Sequence, residues 1–379
     1  METTVIVKTF HGLEHVLADE LRAIGAKEVR VLKRAVSCKG DLVLVYRANY
    51  ELRTALRVLI PIHAFEAANE RAYYRAVREV EWNQYLDPSG TLAVDAVLSG
   101  GIFRHSHYMA LLTKDAIVDY YRDRYARRPD VNTEAPHLRV HVRLHGSRCT
   151  LLLDSSGDSL HKRGYRRDTV EAPLNEVLAA GMILLSGWND TGPFVDPMCG
   201  SGTLVIEAAL LAAGLPPQIR RPSFGFFRWR NFDRKLWERI KSAADARARK
   251  PMFSIYASDK DARAHNATAI NLLSAGIEEW VKLQKTPFEK LIPPTPAGVL
   301  MTNPPYDERL RTEDVAHFYK AVGDRLKKHW TGWTAWIISS NKDALNHLGL
   351  HAEQKITLYN GPLECAFQKF PLYVGSKRG

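Results

Sequence analysis

Pro193-Phe194-Val195-Asp196-Pro197-Met198-Cys199-Gly200-Ser201-Gly202-Thr203 is the stretch that decides the fold of the larger half of this chain. PFVD reads as a short strand ending in an acid, and Thr203 opens a helix. Between them Gly200 and Gly202 give the turn the backbone freedom to approach a ligand closely. The turn is neither GxxxxGK[ST] nor a full GxGxxG, which weighs against ATP and NAD.

Working outward, a helix is expected over about 171–186. FSIYASD is a strand ending at Asp259, DARAHNATAINLLSAG a helix, GVLMTNPPY a strand entering a stiff turn, and TAWIISS another strand. Alternation of this kind predicts an α/β domain with a mostly parallel sheet, helices on both faces and ligands beyond the carboxyl ends of the strands. A carboxylate at Asp259 can accept hydrogen bonds from both ribose hydroxyls, whereas Asp261, at the start of a helix, suits a cap. In that order the turn and Asp259 point to a nucleoside cofactor, held by Asp196, Pro197, Cys199, Gly200, Ser201, Gly202, Thr203 and Asp259. The candidate catalytic residues are Asn303, Pro304, Pro305 and Tyr306. The prolines stiffen the backbone while Asn303 and Tyr306 project into a cleft.

Residues 3–8 look extended, 12–24 helical, and KEVRVLKRAV followed by DLVLVYR reads as further strands, a small α/β unit over 1–58. A second unit, 59–156, carries helices near 69–80 and 106–127 and strands at LAVDAVLS, LRVHVRLHG and RCTLLLDS. A junction, 157–170, leads to the α/β domain over 171–379.

At 379 residues the chain is long enough for two or three domains. No apolar run nears the roughly 20 residues of a bilayer span, so no membrane is expected. The four cysteines have no zinc spacing and no metal is expected. The N-terminus lacks a secretory pattern, so a cytoplasmic, reduced protein is the expectation. The net charge of +11 favours an anionic partner. Residues 220–250 hold 11 basic and 3 acidic residues, a local +8 that makes nucleic acid plausible there, against the plainer reading of a soluble arginine-rich helix.

Beyond DPMCGSGT and NPPY, the segments FRHSHYMALLTKDAIVDYYRDR, SSGDSLHKRGYRRD, APLNEVLAA and LYNGPLECAFQKF complete a pattern covering almost the whole chain. It resembles the S-adenosylmethionine-dependent RNA methyltransferases with a THUMP domain, in the large-subunit ribosomal RNA guanine-N2 branch. The resemblance implies a ferredoxin-like N-terminal region, then a THUMP RNA-binding domain, then a Rossmann-like class I methyltransferase domain. It assigns Asp196 and Gly200 to the methionine part of S-adenosylmethionine, Asp259 to ribose and residues 303–306 to the acceptor base. Where an acid to adenine is usual, the chain has Lys285 and Thr286, with Glu289 the nearby carboxylate. The implied reaction is methylation of a guanine N2 amine in 23S-type ribosomal RNA, as precursor or partly assembled large subunit, with no obligate protein partner. Alternatives are a transfer RNA guanine and an inactive RNA-binding assembly factor.

RNA-backbone candidates are Arg122, Arg124, Arg127 and Arg128 in YYRDRYARRPD, Lys162, Arg163, Arg166 and Arg167 at the junction, and Arg228 and Arg230. For Phe224, Phe226, Phe227, Trp229, Phe232 and Trp237, spacing favours core packing over stacking on bases.

Overall fold

The computed structural model describes residues 2–170, 173–305 and 312–373. The chain opens with β1 (Thr3–Lys8), α1 (Glu14–Ala23), β2 (Lys27–Leu32), β3 (Ala35–Gly40), α2 (Leu42–Glu51) and β4 (Arg57–Glu66), a β-α-β-β-α-β unit. It continues with α3 (Glu70–Arg78), β5 (Thr91–Ser99), α4 (Ser106–Tyr125), β6 (Asp130–Val131), β7 (Leu138–His145) and β8 (Arg148–Asp154). These strands form one sheet in the order β2-β3-β1-β4-β8-β7-β5-β6. β4 joins its two halves: residues 57–59 pair with β1 and 59–66 with β8. The expected boundary between 58 and 59 therefore falls inside a strand, and the first two units share a sheet.

DLVLVYR, expected as a strand, is the start of α2. Its unbroken apolar run has no helical or strand period to separate the two choices. Asp41 decides it, accepting the Leu44 N–H at 3.1 Å as the helix N-cap. Val5, Val7 and Val36 of the sheet pack against Leu17, Leu21, Leu44 and Val45 of the two helices. In the second unit Val140, Val142, Leu151 and Leu153 pack against Tyr73, Ile117 and Tyr121.

The second half runs α5 (Glu176–Ser186), β9 (Phe194–Asp196), α6 (Thr203–Ala212), α7 (Arg234–Asp245), β10 (Ile255–Asp259), α8 (Ala262–Ala275), β11 (Val281–Lys285) and β12 (Gly298–Thr302). It ends with α9 (Thr312–His329), β13 (Trp333–Ser339), α10 (Lys342–Asn346), β14 (Gln354–Asn360) and β15 (Leu363–Pro371). The sheet order is β11-β10-β9-β12-β13-β15-β14, parallel from β11 to β13 and antiparallel at β15 and β14. The order reverses direction at β9, with β10 on one side and β12 on the other, which opens a crevice beyond their carboxyl ends. No helix among the described residues is long and apolar enough to cross a membrane.

The basic stretch 220–250 packs on the first half of the chain. Phe226 stacks on Tyr46 with ring centroids 4.4 Å apart, and Trp237 meets Tyr50 edge-on at 5.3 Å. Phe224, Phe226 and Trp237 are buried in the same core as α2, so the packing reading of these aromatics holds for them.

Candidate active site

β9 and β12 end side by side, and the residues that follow them face one cavity of about 760 Å³, within the range of nucleotide-sized ligand pockets. The wall formed by the first turn contains Asp196, Pro197, Met198, Cys199, Gly200, Ser201 and Thr203. Asp259, at the end of β10, borders the same space, as do Asn303, Pro304 and Pro305. Tyr306 lies outside the described residues. The parallel register therefore assembles a glycine turn, the carboxylate of Asp259 and the NPP turn from positions up to about 100 residues apart.

Both turn glycines adopt positive φ, +55° at Gly200 and +84° at Gly202, where other residues are strained. Gly202 does not line the cavity. A Cβ there would lie 2.8 Å from Thr268 Cγ2, so its smallness lets α6 and α8 close behind the turn. Thr268 Oγ1 donates to Gly200 O at 2.8 Å, and Gly200 N donates to Asp259 Oδ2 at 3.0 Å. Asp261 caps α8, accepting from Arg263 N and Ala264 N. Of the two acids 259 and 261, Asp259 is the one at a strand end on the cavity.

Asp196 is 2% exposed, with Thr302 Oγ1 donating to its Oδ1 at 2.9 Å and Met198 N at 3.2 Å. Burial pushes its carboxyl up to about 7, against the pull of those two bonds, and the charge of Asp259 adds to the rise. Burial likewise raises the Cys199 thiol, so this cysteine is a wall of the cavity and no thiolate nucleophile. Two carboxylates, a glycine turn and a partly apolar cavity suit a cationic nucleoside such as S-adenosylmethionine. The acid pair would hold its amine and ribose hydroxyls.

Past the end of β11, Phe288 and Glu289 border the cavity. The Thr286 carbonyl accepts from Ser258 Oγ at 2.6 Å, a contact that ties β11 to β10. Phe288, Ser340, Leu363, Val170 and Leu174 also line the cavity, none of them expected from the sequence. The Pro-Phe following β11 is the signal for Phe288. The others come from segments whose approach depends on tertiary packing.

The arginines expected to grip RNA divide in the structure. Arg163 is a correction: it is 1% exposed, pairs with buried Glu207 and donates to Leu160 O, so it cannot reach phosphate from this position. Arg166 is a second: its guanidinium is spent on Glu176, Leu174 O, Ser201 Oγ and Thr203 Oγ1. Arg228 donates to the carbonyls of Ala135 and Pro136, and Arg230 to Asn83 O at 2.7 Å, so both fasten this segment to the second unit. Arg221 binds four further backbone carbonyls around 156–162. Arg221, Arg228 and Arg230 of this basic stretch thus direct donors to backbone carbonyls of the first half and the junction.

Arg122 pairs with Asp119 at 2.8 Å, and Arg124 lies over the Tyr120 ring at 4.1 Å. Arg127 and Arg128 are exposed just beyond α4, Lys162 is exposed beside Asp158, and Arg167 is exposed with Nε 3.3 Å from Ser274 Oγ.

Comparison with known proteins agrees with this architecture. A model described as the RMKL-like methyltransferase domain matches residues 163–369, one for the RlmL ferredoxin-like domain matches 4–59, and one for the THUMP domain matches 67–154. The ribosomal RNA large subunit methyltransferase K/L of Syntrophotalea carbinolica is 40% identical over 95% of this chain, which spans only 52% of that longer protein. The slr0064 protein of Synechocystis, named provisionally as an RNA methyltransferase, is 37% identical over 96% of this chain and 95% of its own length. Among solved structures, SMU.472, a methyltransferase by provisional assignment and complexed with SAH, superposes with a TM-score of 0.89 at 30% identity, covering 99% of each chain.

Proposed function

The chain belongs to the RMKL-like methyltransferase family, with a ferredoxin-like region and a THUMP domain ahead of the S-adenosylmethionine-dependent domain, and we propose that it methylates the exocyclic N2 amine of a guanine in large-subunit ribosomal RNA. The substrate is precursor or partly assembled large subunit in the cytoplasm. The observation that carries this reading is the placement of Asn303 and Pro304 on the same cavity as Asp196 and Asp259. An amine acceptor and a nucleoside cofactor are thereby brought to one space.

Bound S-adenosylmethionine supplies an activated methyl group, so the protein's task is alignment. The Asn303 side-chain carbonyl and the Pro304 backbone carbonyl accept the two amine hydrogens. They point the nitrogen lone pair into the cavity and favour the positive charge that grows as the pair is committed. Such groups give no preference between the amine of guanine and that of adenine. The choice of guanine N2 follows the family pattern, and the choice of RNA follows the THUMP domain.

The test is methylation of large-subunit RNA and, separately, of transfer RNA with labelled S-adenosylmethionine, followed by nucleoside analysis. N2-methylguanosine is the expected product. Label in N6-methyladenosine or in transfer RNA alone would reject the acceptor, and RNA binding without label would favour an assembly factor.

A further inference from the structure

The chain linking the RNA-binding units to the methyltransferase domain also contributes to the wall of the cofactor cavity, through Val170, Pro173 and Leu174. Asn271 of α8 holds it there. Its Oδ1 accepts from the N–H groups of Arg167 at 2.7 Å and Asp168 at 3.1 Å, while its Nδ2 donates to Asp168 O at 2.8 Å and Ser201 O at 3.0 Å. The linking chain and the glycine turn are thus held by one buried amide.

Arg166 makes the second connection, and its chemistry is more specific. Nε donates to Glu176 Oε1 at 2.7 Å, and Nη2 to Leu174 O at 3.1 Å and Thr203 Oγ1 at 2.9 Å, while Nη1 donates to Ser201 Oγ at 3.0 Å. Both hydroxyl oxygens therefore act as acceptors toward the guanidinium. A hydroxyl whose lone pair is engaged by a cation keeps its own proton free and polarised for donation. Ser201 and Thr203 both line the cavity, at the start of α6, where the N-terminal N–H groups add partial positive charge. The three features converge on an anion. Asp196 and Asp259 suit cationic and hydroxyl groups, so the one anionic group of the cofactor, the carboxylate of its methionine part, is the ligand left for this corner.

We propose that Arg166 is a positioning residue that turns the Ser201 and Thr203 hydroxyls into donors for the cofactor carboxylate. The inference rests on cofactor binding by this cavity and is independent of which RNA base is methylated. It gives the link between the RNA-binding half and the catalytic half a part in cofactor recognition.

Calorimetry with S-adenosylmethionine and with its decarboxylated form, which keeps the sulfonium, amine and nucleoside, isolates the carboxylate. The wild-type protein is expected to bind the carboxylated form about tenfold more tightly, the scale of a charge-assisted bond or two. In Arg166→Ala that preference should fall to about twofold, with affinity for the decarboxylated form little changed. The variant Ser201→Ala/Thr203→Val, which keeps the arginine, should lose the same preference and serves if Arg166→Ala does not fold. A wild-type protein that binds both forms equally, a variant that retains the full preference, or one that weakens both forms alike would overturn the proposal. The last result would make Arg166 a scaffold residue only.

Discussion

Thr302 Oγ1 donates to Asp196 Oδ1 at 2.9 Å, so the last residue of β12 is fastened to the last residue of β9. Asn303 is the next residue. The acid expected to meet the cofactor and the amide expected to meet the acceptor are therefore set by one buried contact, and a disturbance at either end is transmitted to the other. Rigid support of this kind matters for a displacement in which three atoms must align.

Asp196 makes cofactor affinity depend on pH. Its carboxyl titrates at about 7 in the free protein, so at pH 6 only about one molecule in ten carries the charge that a cationic cofactor prefers. Affinity should rise about tenfold between pH 6 and pH 8, with proton release on binding at the lower pH. The free protein should behave oppositely in stability. With the folded value raised from 3.8 to about 7, this group favours the fold fully below 3.8, and that contribution is lost as pH rises to about 7. Asp196→Asn should flatten both profiles, measured by calorimetry and by thermal melting across pH.

Asn303 and Asp259 should separate chemistry from binding. Asn303→Ala removes a carbonyl that stabilises the reacting amine and should lower the methylation rate about 10²- to 10³-fold while cofactor affinity stays within about twofold. Asp259→Ala should weaken the cofactor by about tenfold or more through loss of ribose hydrogen bonds to a charged acceptor. Single-turnover methylation beside equilibrium binding reads both numbers, and normal turnover by the Asn303 variant would remove it from the mechanism.

How much of this was readable in advance depended on the range of the interactions. DPMCGSGT, Asp259 and NPP could be placed at strand ends because each motif carries its strand beside it. Asp261 could be assigned as a cap from its position before a helical run, and the structure agrees. DLVLVYR is helical where a strand was expected, because an apolar run is ambiguous until its N-cap, Asp41, is weighed. The partners of the arginines were out of reach for a different reason. Arg228 finds its acceptors more than 90 residues away at Ala135 and Pro136, and Arg230 finds Asn83 at a separation of 147. A count of charges records none of these partners.

Trp237 offers a test of packing against base stacking in the basic stretch. It is 8% exposed and packs edge-on to Tyr46 and Tyr50 of α2 and to Phe224 and Phe226. Trp237→Ala should destabilise the protein by about 3–5 kcal/mol, the range for deleting a large buried aromatic ring. RNA affinity, measured at a temperature where the variant remains folded, should stay within about twofold, whereas a base-stacking residue would weaken it by about 1–3 kcal/mol. A stable variant with impaired RNA binding would restore the stacking role.

Arg163 should prove a residue of the interior. The Arg163 and Glu207 side chains are each fully inaccessible, with Nε 3.4 Å from Oε1, and the Tyr165 hydroxyl donates to the same oxygen at 3.0 Å. Burial raises the Glu207 carboxyl, opposed chiefly by the charge of Arg163 and then by that of Arg53. Arg163→Met leaves Glu207 buried without its main counter-charge and hydrogen-bond donor, and should cost about 3–5 kcal/mol in thermal or urea unfolding. Arg163→Met/Glu207→Leu removes both charges and should recover much of that loss, since a buried pair replaced by apolar side chains of similar volume is often close to neutral. A phosphate contact would give a different signature: a slope of log affinity against log salt shallower by about 0.7–0.9, with stability nearly unchanged. Loss of stability with an unaltered salt slope is the expected outcome, because every donor of Arg163 with a bond in the structure points to Glu207 or to the carbonyls of Leu160 and Arg53.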